Sequence, residues 1–212
     1  ATDETRKNLN GVLMEAGLDG SNYLLRMVAT DGHRLAMARG FTPEPTLKTV
    51  KGIIIPRKGL MEIKKIIDEN KEVQIGLHKN MFLVKTENTL LKVSLVDADY
   101  PDYKKVIPTE KGMSVVLEKD YFLHALRRMS VVSSERYGGV ILSFSKGKLT
   151  LNSTNLDVGE ATEEIDIDYG GEAIDSGFNV NYLIDAIAVV NKENIVFEVG
   201  LGLKPSIIKQ AE

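Results

Sequence analysis

The run Ala29-Thr30-Asp31-Gly32-His33-Arg34-Leu35-Ala36 sets a carboxylate two residues from an imidazole. An acid so placed can orient a general base, as in hydrolytic triads. No serine nearby is marked as a nucleophile, and the chain contains no cysteine. Asp-Gly is a turn pair, and residues two apart share a face only where the backbone stays extended. A hairpin apex carrying His33 and Arg34 on a solvated or binding surface is therefore favoured over catalysis. The three histidines, His33, His78 and His124, lack the spacing of a metal site. Gly200-Leu201-Gly202 follows a strand-like run but opens no helix and has no third glycine, so it is no dinucleotide signature. The expectation is a chain with no catalytic residue, no metal and no cofactor.

Pro56-Arg57-Lys58-Gly59 is the second unusual arrangement, with two cations at the start of a helical pattern. Proline opens helices readily, but cations there oppose the helix dipole. Solvated charge and a phosphate partner stand level as explanations. Tyr100-Pro101-Asp102-Tyr103-Lys104-Lys105-Val106 reads as a proline-flanked extended linker with a lysine pair.

These residues need a scaffold, and the 212-residue length allows one large domain or two of about a hundred residues. A hydrophobic share of 43 % and a charged share of 27 % suit a globular core. No run of ~18 apolar residues occurs, so no membrane span is expected. The absence of cysteine excludes disulfides, thiolate catalysis and iron–sulfur clusters, and fits a reducing compartment. A net charge of -3 argues against coating nucleic acid through overall positive charge, though a local basic face stays open. Aromatic content of 6 % without tryptophan argues against a stacking single-strand binder.

Most segments alternate or run apolar between Gly, Asn and Asp, which predicts strands at 10–16, 23–30, 33–39, 52–56, 72–78, 81–86 and 89–96. A second series falls at 113–118, 138–145, 148–154, 160–169, 172–180 and 193–200. Helical periodicity marks only 57–68, 119–132 and 181–192. The fold class is α+β, strand-rich with short helices.

The chain also resembles itself. Residues 8–14 match 136–142, the Ala-Thr-Asp of 29–31 matches the Ser-Thr-Asn of 153–155, 55–63 match 178–186, and 72–77 match 194–199. The offsets drift from 128 to 122, as a few loop insertions would produce, so two copies of a unit of roughly 125 residues are expected. In that register the strand and helix at 113–132 have no counterpart after residue 1, and 89–103 none before residue 212. The expectation is a fragment cut inside a unit at each end.

Leu-Asn-Gly-Val-Leu-Met-Glu-Ala, Ala-Thr-Asp-Gly-His-Arg-Leu-Ala, Ile-Ile-Ile-Pro-Arg-Lys-Gly-Leu, Asp-Tyr-Pro-Asp-Tyr-Lys-Lys-Val and Gly-Phe-Asn-Val-Asn-Tyr-Leu follow one another in the order seen in one family. The sequence resembles the bacterial DNA polymerase III beta subunit, the sliding clamp, over essentially all its length. That resemblance implies a DNA-clamp fold of repeated units, each with curved antiparallel sheets and helices on one side. By it, 1–112 is the middle domain without its first strand and helix, and 113–212 the third domain without its terminal strand.

It further implies a non-catalytic subunit of the polymerase holoenzyme. This would be a processivity factor whose head-to-tail dimer forms a ring around duplex DNA without sequence specificity, located in the bacterial cytoplasm and off the membrane. The ring is expected of the full-length protein and not of this fragment. Partners implied are the replicative polymerase, the clamp loader and repair polymerases, docking short apolar peptides in a groove. Family groove positions fall on Leu9, Thr30, Gly32, His33, Arg34, Leu35, Pro101, Lys105, Val106, Tyr182, Leu203 and Pro205. DNA contacts fall on Arg6, Arg57, Lys58 and Lys105, supplemented by Lys and Arg off the apolar stripes of the three helices, and the subunit interface on Val131 and Val132. An unrelated α+β interaction module, or a hydrolase using Asp31 and His33, are the alternatives.

Overall fold

A computed structural model describes residues 6–19, 22–42, 50–67, 72–109, 112–133, 138–200, 202 and 204–211. The chain divides into two compact units, Ala1–Asp102 and Tyr103–Glu212. The division precedes the expected 112/113 boundary because the short 3-10 turn Tyr103–Val106 groups with the second unit.

In the first unit, β1 (Gly11–Asp19), β2 (Asn22–Thr30), β3 (Leu35–Thr42) and β4 (Val50–Pro56) form an antiparallel sheet of order β3-β2-β1-β4. Helix α1 (Arg57–Ile66) follows, and β5 (Gln74–His78), β6 (Met81–Lys85) and β7 (Leu90–Ser94) make a meander. Strict alternation in Met81–Lys85 buries Phe82 and Val84 on one face. With Met14, Ile55, Ile63 and Val93 they form the core. Two glycines allow close approach here. A Cβ on Gly11 would lie 2.8 Å from the Ile55 carbonyl oxygen, and one on Gly59 would lie 2.3 Å from Val93 Cγ1.

In the second unit, β9 (Gly139–Ser145), β10 (Lys148–Asn155), β11 (Gly159–Asp166) and β12 (Ile174–Asn179) give the order β11-β10-β9-β12, the same topology shifted by one copy. The registers agree, since Gly11 pairs with Pro56 and Gly139 with Asn179, each partner standing just before a helix. The remaining sheets differ. In the second unit β13 (Asn194–Val199) lies between β14 (Ile207–Gln210) and β8 (Met113–Glu118), whereas in the first β6 lies between β5 and β7. Helices α2 (Lys119–Val132) and α3 (Val180–Ala188) pack on this unit's core, which α2 enters through Phe122, Leu126 and Met129. Phe197 is fully buried, its ring centroid 5.5 Å from Phe178, 6.2 Å from Phe144 and 6.3 Å from Phe122.

Several expectations need correction. β3 begins at Leu35, not residue 33, because the Asp31 carboxylate takes the N–H groups of His33 and Arg34 out of any ladder. β11 ends at Asp166, because Ile167 and Tyr169 turn back to bond Gly147. Helix α1 starts at Arg57 as expected, with Pro56 as its extended N-cap at φ -63 and ψ 146, but it ends at Ile66 and not at residue 68. β14, four residues long, was not expected at all.

Candidate functional site

Thr30 closes β2 opposite Leu35, which opens β3, and the four residues between them form a tightly bonded turn. The Thr30 hydroxyl donates to the Arg34 carbonyl at 2.8 Å and accepts from the Gly32 N–H at 3.1 Å. Asp31 Oδ1 accepts from the N–H groups of His33 and Arg34, both at 3.0 Å, and Oδ2 from Arg34 Nε at 3.1 Å. Gly32 has φ +91, a left-handed value that glycine adopts without strain. Partial burial pushes the Asp31 carboxyl up, but the two N–H donors and Arg34 outweigh it and hold it below the usual carboxylate value. Both oxygens of Asp31 are thus committed to the turn, which suits a rigid presenting loop and not an acid poised to activate His33.

The loop displays His33 and Arg34 as exposed side chains and Leu35 as a half-buried one. Leu9 is buried, its N–H donates to the Arg6 carbonyl at 2.9 Å, and Arg6 Nη1 donates to the Asp31 carbonyl at 3.5 Å. Pro101 is exposed, and Tyr100 before it anchors the segment by donating to the Val28 carbonyl at 3.2 Å. Leu9, Thr30, Gly32, His33, Arg34, Leu35 and Pro101 all belong to the first unit.

The second unit carries Lys105, Val106, Tyr182 and Pro205. Lys105 and Val106 are exposed on the 3-10 turn, whose Tyr103 is buried at 5 %. Tyr182 is half-buried in the first turn of α3, where its N–H donates to the Asn179 cap at 3.3 Å. Pro205 is exposed; Leu203 lies outside the described residues.

Arg57 and Lys58 are exposed at the uncapped N-terminus of α1, with no acidic residue in its first turn. Their charges therefore face the positive end of the helix dipole with no carboxylate in that turn to offset it. The expectation of cations on all three helices fails for α3, which bears none between Val180 and Ala188. On α2, Arg128 is turned aside by a two-pronged bond to Glu163, with Nε at 3.0 Å from Oε2. Val131 is 80 % exposed and Val132 half-buried at the end of α2. Among the described residues no three His, Asp or Glu side chains gather as a metal site, and no helix is long and apolar enough to cross a membrane.

Family models agree with this architecture. Residues 1–102 match the DNA polymerase III beta subunit central domain, and residues 104–212 its C-terminal domain. The beta sliding clamp of Caulobacter vibrioides is 33 % identical over 211 residues, covering 98 % of this chain and 56 % of that protein. The Pseudomonas aeruginosa beta sliding clamp is 33 % identical over 213 residues, covering 100 % of this chain and 57 % of its own length. The crystal structure of the Pseudomonas aeruginosa subunit superimposes with a TM-score of 0.92 at 33 % identity, covering 100 % of this chain and 57 % of that one. This chain therefore spans a little over half the length of the relatives it matches. Two family models end to end, a shared sheet topology and relatives at one-third identity lead to one conclusion: the chain belongs to the DNA polymerase III beta subunit, or sliding clamp, family.

Proposed function

We propose that this chain is part of a non-catalytic processivity factor that encircles duplex DNA and tethers the replicative polymerase, the clamp loader and repair polymerases. It works in the bacterial cytoplasm by topology and docking. A sliding ring must avoid base readout, which would create traps, and needs only modest phosphate attraction. Arg6, Arg57, Lys58 and Lys105 supply that attraction, and a net charge of -3 leaves the rest of the surface acidic. Peptides dock on Leu9, Thr30–Leu35, Pro101, Lys105, Val106, Tyr182, Leu203 and Pro205. Val131 and Val132 form part of a subunit contact in the ring.

The observation that carries this reading is the Thr30–Leu35 turn. It spends the N–H groups of Asp31, Gly32, His33 and Arg34 internally while offering Leu35 with His33 and Arg34 beside it. An apolar anchor with a polar rim is what a short peptide needs. The hydrolase alternative is not favoured, because Asp31 is committed to the turn. The test is fluorescence anisotropy with a labelled extended peptide carrying one leucine and one phenylalanine. Binding on the order of 100 µM, about -5.5 kcal/mol, is expected. Leu35→Ala should weaken it, and Lys79→Ala on the β5/β6 hairpin should not. Equal affinity for all three proteins would contradict the docking assignment.

A further inference from the structure

Asp31-Gly32 is a dipeptide with covalent chemistry of its own. In an Asp-Gly pair the amide nitrogen after the aspartate is unhindered, because glycine has no Cβ. That nitrogen can attack the aspartate Cγ. The hydroxyl of the protonated carboxyl leaves with the N–H proton as water, and the new C–N bond closes a five-membered imide. Water then adds to one of the two imide carbonyls and breaks the C–N bond there. Breakage at Cγ restores aspartate. Breakage at the main-chain carbonyl yields isoaspartate, whose backbone runs through Cβ and Cγ. Nothing is oxidised or reduced, and the water lost is regained.

The turn depends on both members of the pair. Gly32 stands at φ +91, where a side chain would be strained. Asp31 Oδ1 accepts from the N–H groups of His33 and Arg34, both at 3.0 Å. The bonds that make the turn also hold the reacting groups apart. The carboxylate is turned forward onto residues 33 and 34, with Oδ2 on Arg34 Nε at 3.1 Å. The Gly32 N–H is turned back onto the Thr30 hydroxyl at 3.1 Å, and that hydroxyl donates to the Arg34 carbonyl at 2.8 Å. Attack therefore requires the carboxylate to leave three donors, take up a proton and swing back toward Gly32. The same donors hold Asp31 below the usual carboxylate value, which keeps the protonated form scarce.

We propose that Asp31-Gly32 is an isoaspartate-forming site that the Thr30 and Arg34 side chains keep closed. The inference stands apart from the function proposed above. Loss of either side-chain bond opens the site. The product lengthens the backbone between β2 and β3 by one methylene, inside the stretch that Thr30 and Leu35 close by pairing.

The experiment incubates this chain in heavy-oxygen water at neutral pH, beside a synthetic peptide of residues 27–38. Each imide hydrolysis places one heavy oxygen on residue 31, read by mass spectrometry, and isoaspartate there resists Asp-N protease. The peptide should isomerise, and the folded chain should do so at least about tenfold more slowly, the worth of one bond to a charged group. Thr30→Ala and Arg34→Ala should each speed the folded chain about three- to tenfold. Thr30→Ser, which keeps the hydroxyl, and Lys79→Ala should stay slow. Deamidation at Asn10-Gly11, held at the start of β1, reports general loosening of the unit and should not change. A folded chain as fast as the peptide, or a peptide that does not react, overturns the proposal. So does a Thr30→Ala or Arg34→Ala chain as slow as its parent, or one in which residues 10 and 31 accelerate together.

Discussion

Asp31 and Arg34 hold each other twice, through the Arg34 N–H on Oδ1 at 3.0 Å and its Nε on Oδ2 at 3.1 Å. The pair fixes the loop that displays Leu35 with His33 and Arg34 beside it. Everything proposed for peptide docking depends on that turn keeping its shape.

The first prediction concerns acid. Partial burial raises the Asp31 carboxyl, but the His33 and Arg34 N–H groups and the Arg34 side chain lower it further, so its folded value lies below the unfolded one. A depressed carboxylate contributes stability that is complete above its unfolded pKa, about 3.9, and is lost as pH falls through the folded value. Carboxyl-detected NMR should find the Asp31 midpoint below ~3.9, with the Gly32 amide resonance moving in step. In Asp31→Asn the Gly32 resonance should no longer titrate in that range. A midpoint at or above the ordinary value would contradict the turn's hydrogen-bond pattern.

A second prediction tests how α1 sits on the first unit. Gly59→Ala puts a methyl where Val93 Cγ1 stands 2.3 Å away, and Val93 is 6 % exposed. Overpacking of this kind costs about 1–3 kcal/mol. Val93→Ala alone should cost roughly 1–3 kcal/mol by leaving a void. The double variant should be less destabilised than the sum, because each change makes room for the other. Urea unfolding of the four proteins gives the coupling, and strict additivity would mean α1 does not lie on β7 as described.

The core of the second unit gives a third. Phe197 lies among the rings of Phe122, Phe144 and Phe178 with no exposed surface. Phe197→Ala should cost about 3–5 kcal/mol. On the neighbouring residue of the same strand, Glu198→Gln removes only a partly exposed ion pair with Lys209 and should cost under about 1 kcal/mol. Thermal unfolding compares them directly, and a mild Phe197→Ala would place the core elsewhere.

Much of this architecture was legible because two physical signals repeat. Offsets of 128 to 122 between the halves predicted that residues 55 and 178 occupy like places. In the structure Ile55 pairs with Val12, and Phe178 with Val140, in sheets of the same order. Turn chemistry was legible too: the Asp31-Gly32 pair stands at a hairpin, with Gly32 at φ +91.

What stayed hidden was decided by contacts distant in sequence. Ile207–Gln210 is too short and irregular in pattern to announce a strand, and becomes one only by pairing with Ile195–Glu198. Arg128 reads as a free cation on a helix until Glu163, 35 residues away, claims it. The bonds from Arg6 to Asp31, from Asn8 to Asp99 and from Arg57 to Asn10 exist only once the sheet is folded.

A fourth prediction addresses the cationic helix start. If Arg57 and Lys58 each neutralise a phosphate, replacing both with alanine should reduce the slope of log affinity against log salt for a duplex by about 2. Lys79→Ala, a cation on a hairpin away from α1, should leave the slope unchanged. Affinity measured at several salt concentrations decides it, and an unchanged slope in the double variant would remove Arg57 and Lys58 from the DNA surface.

Most direct is a map of where a peptide binds. Isotope-labelled chain titrated with the leucine- and phenylalanine-bearing peptide should show amide shifts concentrated at Gly32, His33 and Leu35 in the first unit. In the second unit they should appear at Val106 and Tyr182. Residues at the β5/β6 hairpin, Lys79 and Asn80, should stay still, as should Phe197 in the buried core. Shifts scattered over other surfaces, or none at Gly32 to Leu35 at peptide concentrations well above 100 µM, would contradict a docking role for this loop.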